Sequence, residues 1–295
     1  MDHVIQKADA LGIVVLATIY LGATDAEGMR DDLAAVTTTQ AYNAGLAIGN
    51  RYTSYNNIVW HVVFDSADGY SSSYGPQLDA LIHGLQDGDG SATRRMYTCE
   101  SQGEGIQIGN TAKTFLTGFT YWAISIDSYY TYEGASADWI DAAYAIVPSA
   151  GPLIDAEPPY VGRPYATGNS DQQLRERTYS VFLRNGTGIN WGHEGIYGFD
   201  LGSFFGGGPW ATAVADQNTL EASYVWDLVD SICTDPTWAP DGGSFLTTGL
   251  GSGDTRAASG FSNNAAAAYF PSSRSITVDT SVLARSEERR VGKEC

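Results

Sequence analysis

Two carboxylates stand out by position. Asp65 follows the apolar run Asn57-Ile-Val-Trp-His-Val-Val-Phe64, and Glu157 follows Pro152-Leu-Ile-Asp-Ala156. Each run reads as a buried strand, and a charge directly behind a buried strand is costly unless it is hydrogen-bonded or used. Taken singly, either acid fits the common role of a helix cap or a satisfied ion. Two of them at the ends of separate strands point to paired-carboxylate chemistry. Breaking a glycosidic bond needs such a pair, one acid to protonate the leaving oxygen and one carboxylate facing the anomeric carbon. In retaining enzymes the two groups lie about 5–5.5 Å apart, a span that strand ends across a barrel mouth can provide. Pro158 and Pro159 follow Glu157 directly. They forbid a helix there and fix the chain as it leaves the strand, which rigidifies the carboxylate.

Other side chains are candidates for the same neighbourhood. Tyr160 could hydrogen-bond a nucleophile or line a sugar site, or it is a packing tyrosine. Glu100, Tyr129 and Tyr130 are expected at or just past strand ends, where they could bind hydroxyls. Trp191, His193 and Glu194 follow a later strand, where an aromatic platform would help. Asp68 is a rival to Asp65 whose loop position favours simple solvation. Trp60 and His61 lie inside a strand and read as core. The remaining histidines, His3 and His83, give no ligand spacing with His61 or His193, so no metal and no cofactor is expected.

The elements that would position these residues alternate strand with helix. A helix over 2–11 leads into a strand over 13–19. A helix over 31–51 precedes the strand ending at Asp65, and a helix near 76–86 precedes a short strand Arg95–Cys99. Strands Phe119–Ile126 and Pro152–Ala156 flank a helix over 137–147. A helix over 171–184 leads to strand 188–191, and a last helix covers 220–232. Six strands alternating with helices argue for parallel β-α units. An open doubly wound sheet would carry a glycine-rich phosphate turn after an early strand. None is present, since Gly206-Gly-Gly208 follows no such turn. Acids at strand ends instead fit the carboxyl face of a barrel. The expected fold class is therefore α/β, a (β/α)8 TIM barrel truncated at its N-terminus, with about six of eight units present. Composition shifts near Trp238-Ala-Pro-Asp241. Residues 242–284, with strand-like 265–270 and 275–278, read as part of an all-β sandwich.

The context Pro152-Leu-Ile-Asp-Ala-Glu-Pro-Pro-Tyr160 resembles the nucleophile strand "P-x-x-x-x-E-P-x-Y" of the apiosidase-like glycoside hydrolases (family 140 and its relatives). Further resemblances follow in chain order. Asp2 to Leu16 is similar to the family's third barrel unit. Arg51-Tyr52 through Asn57-Ile-Val-Trp60 to Asp65 is similar to its fourth strand, whose terminal Asp is the acid/base. Arg175 to Tyr197 resembles "R-x-x-x-Y…G-x-G", and Trp238 to Asp241 resembles the "W-x-x-L-x-P-D" that closes the barrel. Ala265 to Pro271 and Ser275 to Asp279 resemble an accessory β-sandwich often labelled collagen-binding. The resemblance implies that Glu157 attacks the anomeric carbon while Asp65 protonates the departing oxygen and later activates water. That role requires the pKa of Asp65 to be raised by burial or by the charge of Glu157. It also implies a poly- or oligosaccharide substrate, branched and of plant or algal origin, with apiose or a related pentose as one candidate, and a secreted or periplasmic location. Val63-Phe64 stands where relatives have Gly-Gly, Val161 where they often have Glu, and Glu100 where they tend to have His. These departures bear on sugar specificity more than on reaction type.

Composition sets the outer bounds. The 295 residues suffice for a large barrel with a small second domain, and aromatics are weighted to 18 Tyr and 7 Trp against 10 Phe. Tyr and Trp pair a flat apolar face with a polar tip, which suits sugar rings and interfaces alike. The net charge of −18 argues against nucleic acid and anionic membranes as partners. Cys99, Cys233 and Cys295 form neither a metal pattern nor a disulfide framework. A monomer is expected, with residues 1–241 as the catalytic barrel lacking its first two β-α units and 242–284 as a partial sandwich. Residues 285–295, RSEERRVGKEC, carry seven charges in eleven positions and resemble a translated sequencing adapter. A non-catalytic carbohydrate-binding barrel and an inactive fragment are the readings that compete with an enzyme.

Overall fold

The computed structural model describes residues 1–21, 30–64, 73–90, 95–100, 118–121, 125–131, 152–162, 171–184, 186–197, 209–232, 235–252 and 256–284. Two compact units divide the chain: Met1–Glu133 with Ala142–Glu157, and Gly134–Asp141 with Pro158–Cys295.

In the first unit, helix α1 (Asp2–Ala10) buries Ile5 and Ala8 and leads to strand β1 (Val15–Leu21). Helices α2 (Arg30–Ala35) and α3 (Thr38–Tyr52) follow, then strand β2 (Ile58–Phe64), helix α4 (Gly75–Gly88) and strand β3 (Tyr97–Thr98). Strands β4 (Asp127–Tyr130) and β5 (Leu153–Glu157) complete it. The single helix expected over 31–51 is two helices. The reason is local: Thr37 and Gln40 form a reciprocal capping box, in which the Gln40 N–H donates to Thr37 Oγ1 (3.2 Å) and the Thr37 N–H to Gln40 Oε1 (2.9 Å). A capped start terminates whatever precedes it.

β1, β2 and β3 pair in parallel and in chain order, with Val15 opposite Ile58 and Trp60 opposite Tyr97. β4 and β5 also pair in parallel, with Asp127 opposite Leu153. The Tyr97 carbonyl accepts from the N–H groups of Ser125 (3.0 Å) and Ile126 (3.1 Å), which carries the chain from β3 towards β4. Within each of these two sheets the strands so paired lie in chain order, as successive β-α units place them. The core between sheet and helices is built from Ile5, Trp60, Val62, Val63, Leu78, Ile82, Leu85 and Tyr97, all fully excluded from solvent. Trp60 and His61 are buried, as expected of core residues.

The strand expected over 119–126 is a correction. Phe119, Thr120 and Tyr121 lie in a turn and bend, and the strand is the more polar Asp127–Tyr130. Asp79 Oδ1 accepts from the N–H groups of both Thr120 and Tyr121 (3.0 Å each), and the Tyr121 ring stacks on His83 at 3.8 Å. Those contacts hold the aromatic segment on α4 and leave the ladder positions to the residues after it. The helix expected over 137–147 lies outside the described residues.

The second unit contains helix α5 (Asp171–Leu183), strand β6 (Gly188–Ile189) and helices α6 (Glu194–Tyr197), α7 (Trp210–Val214) and α8 (Gln217–Ile232). Strands β7 (Ala239–Pro240), β9 (Ala258–Phe261) and β10 (Ala266–Tyr269) form one antiparallel sheet in the order β10-β9-β7. β8 (Leu246–Thr248) pairs with β11 (Thr277–Val278). α5 packs on the first of these sheets, with Tyr179 stacked on Tyr269 at 4.6 Å. A side chain at Gly260 would collide with the Leu183 carbonyl and the Trp238 ring, so only glycine permits that approach. Asp241 organises the turn into β8: its carboxylate accepts from the N–H groups of Gly243 and Phe245 (2.9 Å each) and Leu246 (2.8 Å), and from Ser259 Oγ (3.1 Å).

Candidate active site

The carboxyl ends of β3, β4 and β5 carry most of the expected residues of the first unit. Glu100 follows β3 by two residues, fully buried, and its N–H donates to the Val63 carbonyl (2.9 Å) beside the end of β2. Tyr129 is buried in β4, and Tyr130 is the last residue of that strand, opposite Glu157 in the ladder. The side chain of Tyr130, together with Asp65 and Asp68, lies outside the described residues; Asp65 is the residue next in sequence after β2.

Glu157 is the terminal residue of β5 and is 6% exposed. Its carbonyl accepts from the Thr131 N–H (3.2 Å), so the backbone carrying the carboxylate is tied to the end of β4. Pro158 and Pro159 have no N–H and cannot prolong the ladder, which ends the strand at Glu157. One residue further back, the pairing slips. Tyr129 faces Asp155 and Tyr130 faces Glu157, so Ala156 is an extra residue on β5. Such bulges bend a strand and re-aim the side chains beside them, and they recur next to active sites.

Sequence reasoning missed Asp155 and Thr131. Asp155 is fully buried, and its Oδ2 accepts from Thr131 Oγ1 at 2.6 Å. Its only signal was an acid two positions before Glu157 in an otherwise apolar strand. Asp127 is also buried, with Oδ1 accepting from the Ser128 N–H (2.9 Å), and Ser128 Oγ donates to the Cys99 carbonyl. Burial, with the charges of Asp127 and Glu100 adding to it, pushes the Cys99 thiol well above its ordinary value, so it stays protonated and inert.

In the second unit the backbone brings the segment of Tyr160 and Val161 alongside Gly192, His193 and Glu194. Val161 and His193 form a parallel bridge: the Val161 N–H donates to the Gly192 carbonyl (3.1 Å) and the Glu194 N–H to the Val161 carbonyl (3.0 Å). Any side chain at Gly192 would overlap the Tyr160 ring, so that glycine is what seats the ring. His193 Nδ1 accepts the Gly195 N–H (3.0 Å), which leaves the neutral ring its proton on Nε2. Burial lowers the His193 pKa, partly opposed by the charge of Asp216. Trp191 is partly buried, and Glu194 opens α6. Among the described residues no group of three His, Cys, Asp or Glu side chains is placed to hold a metal ion. No helix among them is long and apolar enough to cross a membrane.

The described residues thus show parallel strands in two sheets, with a buried glutamate ending one of the strands. The profile described as "Apiosidase-like, catalytic domain" matches residues 1–234. The chain belongs to this family. Two solved structures share its fold. One is titled "Glycoside hydrolase" (TM-score 0.76, 19% identity, 96% of this chain and 65% of that chain). The other is a glycoside hydrolase family 5 protein from Bacteroides vulgatus ATCC 8482 (TM-score 0.77, 19% identity, 96% of this chain and 63% of that one). This chain therefore spans a little under two thirds of the length of either. No curated protein matches it. Membership of the apiosidase-like family and the shared fold agree with an α/β, barrel-like architecture, in which a carboxylate at a strand's carboxyl end is where chemistry is expected.

Proposed function

We propose that this chain is the catalytic part of a retaining glycoside hydrolase, with Glu157 as nucleophile and Asp65 as acid/base. The observation that carries the reading is Glu157 itself: a buried carboxylate ending a parallel strand, its backbone tied to Thr131, in a chain of the apiosidase-like family. Glu157 attacks the anomeric carbon and the glycosidic bond breaks, while Asp65 donates its proton to the leaving oxygen. Asp65 then takes a proton from water, which displaces Glu157 and restores both groups. The substrate is a branched plant or algal polysaccharide, and an apioside is the first to try. Tyr160, Glu100, Tyr129, Tyr130, Trp191, His193 and Glu194 supply sugar-binding groups.

The finer architecture is part of the same proposal. Residues 1–241 supply about six of the eight units of an apiosidase-like (β/α)8 barrel, and 242–284 are part of an all-β sandwich. Parallel pairing among β1, β2 and β3 and between β4 and β5, and antiparallel pairing from β7 onwards, support it.

The test is hydrolysis of 4-nitrophenyl apioside followed by proton NMR of the first-formed sugar. Retained anomeric configuration is expected. Asp65→Asn is expected to lower kcat by about 10²–10⁴-fold, the usual contribution of a positioned acid/base, and Glu157→Gln by at least as much. Inverted product would remove the retaining mechanism. Sugar binding with no turnover in the unaltered chain would favour a carbohydrate-binding barrel instead.

A further inference from the structure

The geometry points to Thr131 as a positioning residue for Glu157, acting through Asp155 across the bulge of β5. This inference rests on the reading of Glu157 as nucleophile and deepens it.

Thr131 makes two bonds to β5, one on each side of the extra residue Ala156. Its hydroxyl donates to Asp155 Oδ2 (2.6 Å) before the bulge, and its N–H donates to the Glu157 carbonyl (3.2 Å) after it. Thr131 is 2% exposed and Asp155 0%. A short bond to a carboxylate in so dry a place is strong and directional. A bulge leaves a strand one residue out of step and free to bend, and the residue beyond it needs an outside reference to fix its direction. Thr131 supplies that reference: the hydroxyl fixes where the bulge starts and the N–H fixes where it ends. The next two residues, Pro158 and Pro159, restrict the chain from the other side. Glu157 is thereby held between a clamp and a stiff exit, and displacement of a reacting atom by about 1 Å can cost on the order of 10²-fold in rate.

Thr131→Val keeps the shape and the N–H but removes the hydroxyl donor; Thr131→Ser keeps both donors. With 4-nitrophenyl apioside, Thr131→Val is expected to lower kcat by roughly 10–100-fold with KM within about twofold. Thr131→Ser is expected to stay within about threefold of the unaltered protein in both. Thermal unfolding of each variant separates loss of fold from loss of positioning. Thr131→Val with unchanged kcat overturns the inference, as does a loss that falls on KM alone. If Thr131→Val does not fold, Thr131→Ser decides: lost turnover in a folded serine variant contradicts a role that depends on the hydroxyl. Glu157→Gln is measured alongside. Full activity in that variant overturns the reading of Glu157, whereas an inactive Glu157→Gln beside a fully active Thr131→Val overturns the role of Thr131 alone.

Discussion

At the scale of single residues, burial decides what a titratable group can do, and His61 is the clearest case. It lies 1% exposed in β2 with Nδ1 3.1 Å from Thr18 Oγ1, and burial pulls its pKa from 6.5 to about 4. A histidine that is neutral when folded but titrates normally when unfolded stabilises fully above pH 6.5. That stability is lost as pH falls from 6.5 towards about 4, because only the unfolded chain takes up the proton readily. The loss is on the order of 3 kcal/mol across that window. Urea unfolding at pH 7, 5.5 and 4 is expected to show a falling midpoint, and His61→Gln to flatten part of that fall. Equal pH dependence in the two proteins would count against it. The core role of His61 and the strand-end position of Glu157 were legible in the sequence, one from an apolar run and the other from two prolines. Asp155 and Thr131 were not, because the bond that gives them meaning joins positions 24 residues apart with no local pattern.

At the scale of elements, the helix pair α3–α4 shows how small residues set a fold that hydrophobic pattern leaves open. Gly45 and Gly49 on α3 face the backbone of Leu81 and Leu85, while Gly84 and Gly88 on α4 face the backbone of Tyr42 and Leu46. A Cβ at any of the four would collide with a main-chain oxygen of the opposite helix. Two opposed effects then bear on Gly84→Ala. Helix propensity favours alanine by about 1 kcal/mol. Overpacking against backbone, which cannot rotate away as a side chain can, costs about 1–3 kcal/mol or more. Packing wins, so Gly84→Ala is expected to lower the urea midpoint without changing m. Gly242→Ala, where the added carbon meets nothing within 4 Å, is the control and should leave the midpoint where it is. The strands β2 and β5 could be read from their apolar runs because burial and pattern agree there. β4 could not: Thr120 and Tyr121 of the more apolar segment are held by Asp79 and His83 on α4, and the ladder falls to a polar stretch that β5 complements. Tertiary pairing overrides strand propensity in that way whenever neighbouring edges supply the bonds.

At the scale of the molecule, two surface properties oppose each other. β1 pairs with β2 along one side, and no described strand pairs with its other side. Near its start Ile13 and Val14 are 53% and 61% exposed, Leu16 is 37% exposed, and Val4 and Leu11 of the α1 segment add 60% and 73%. An apolar strand edge open to water is a template for pairing with another chain. Against this stands a net charge of −18, which makes copies of the chain repel one another. The repulsion acts through solvent and is screened over about 10 Å at 0.1 M salt and about 3 Å at 1 M, whereas strand pairing and apolar contact are not weakened by salt. Self-association should therefore rise with ionic strength, the reverse of an assembly held by ion pairs. Size-exclusion chromatography with light scattering in 20 mM and 500 mM sodium chloride is expected to give a larger mass at the higher salt. Leu16→Lys places a charge on the exposed edge, where natural sheets carry one to discourage pairing, and should hold the mass constant in both. A mass that falls with salt, or one that Leu16→Lys leaves unchanged, would mean that the acidic surface rather than the β1 edge governs how copies of this chain meet.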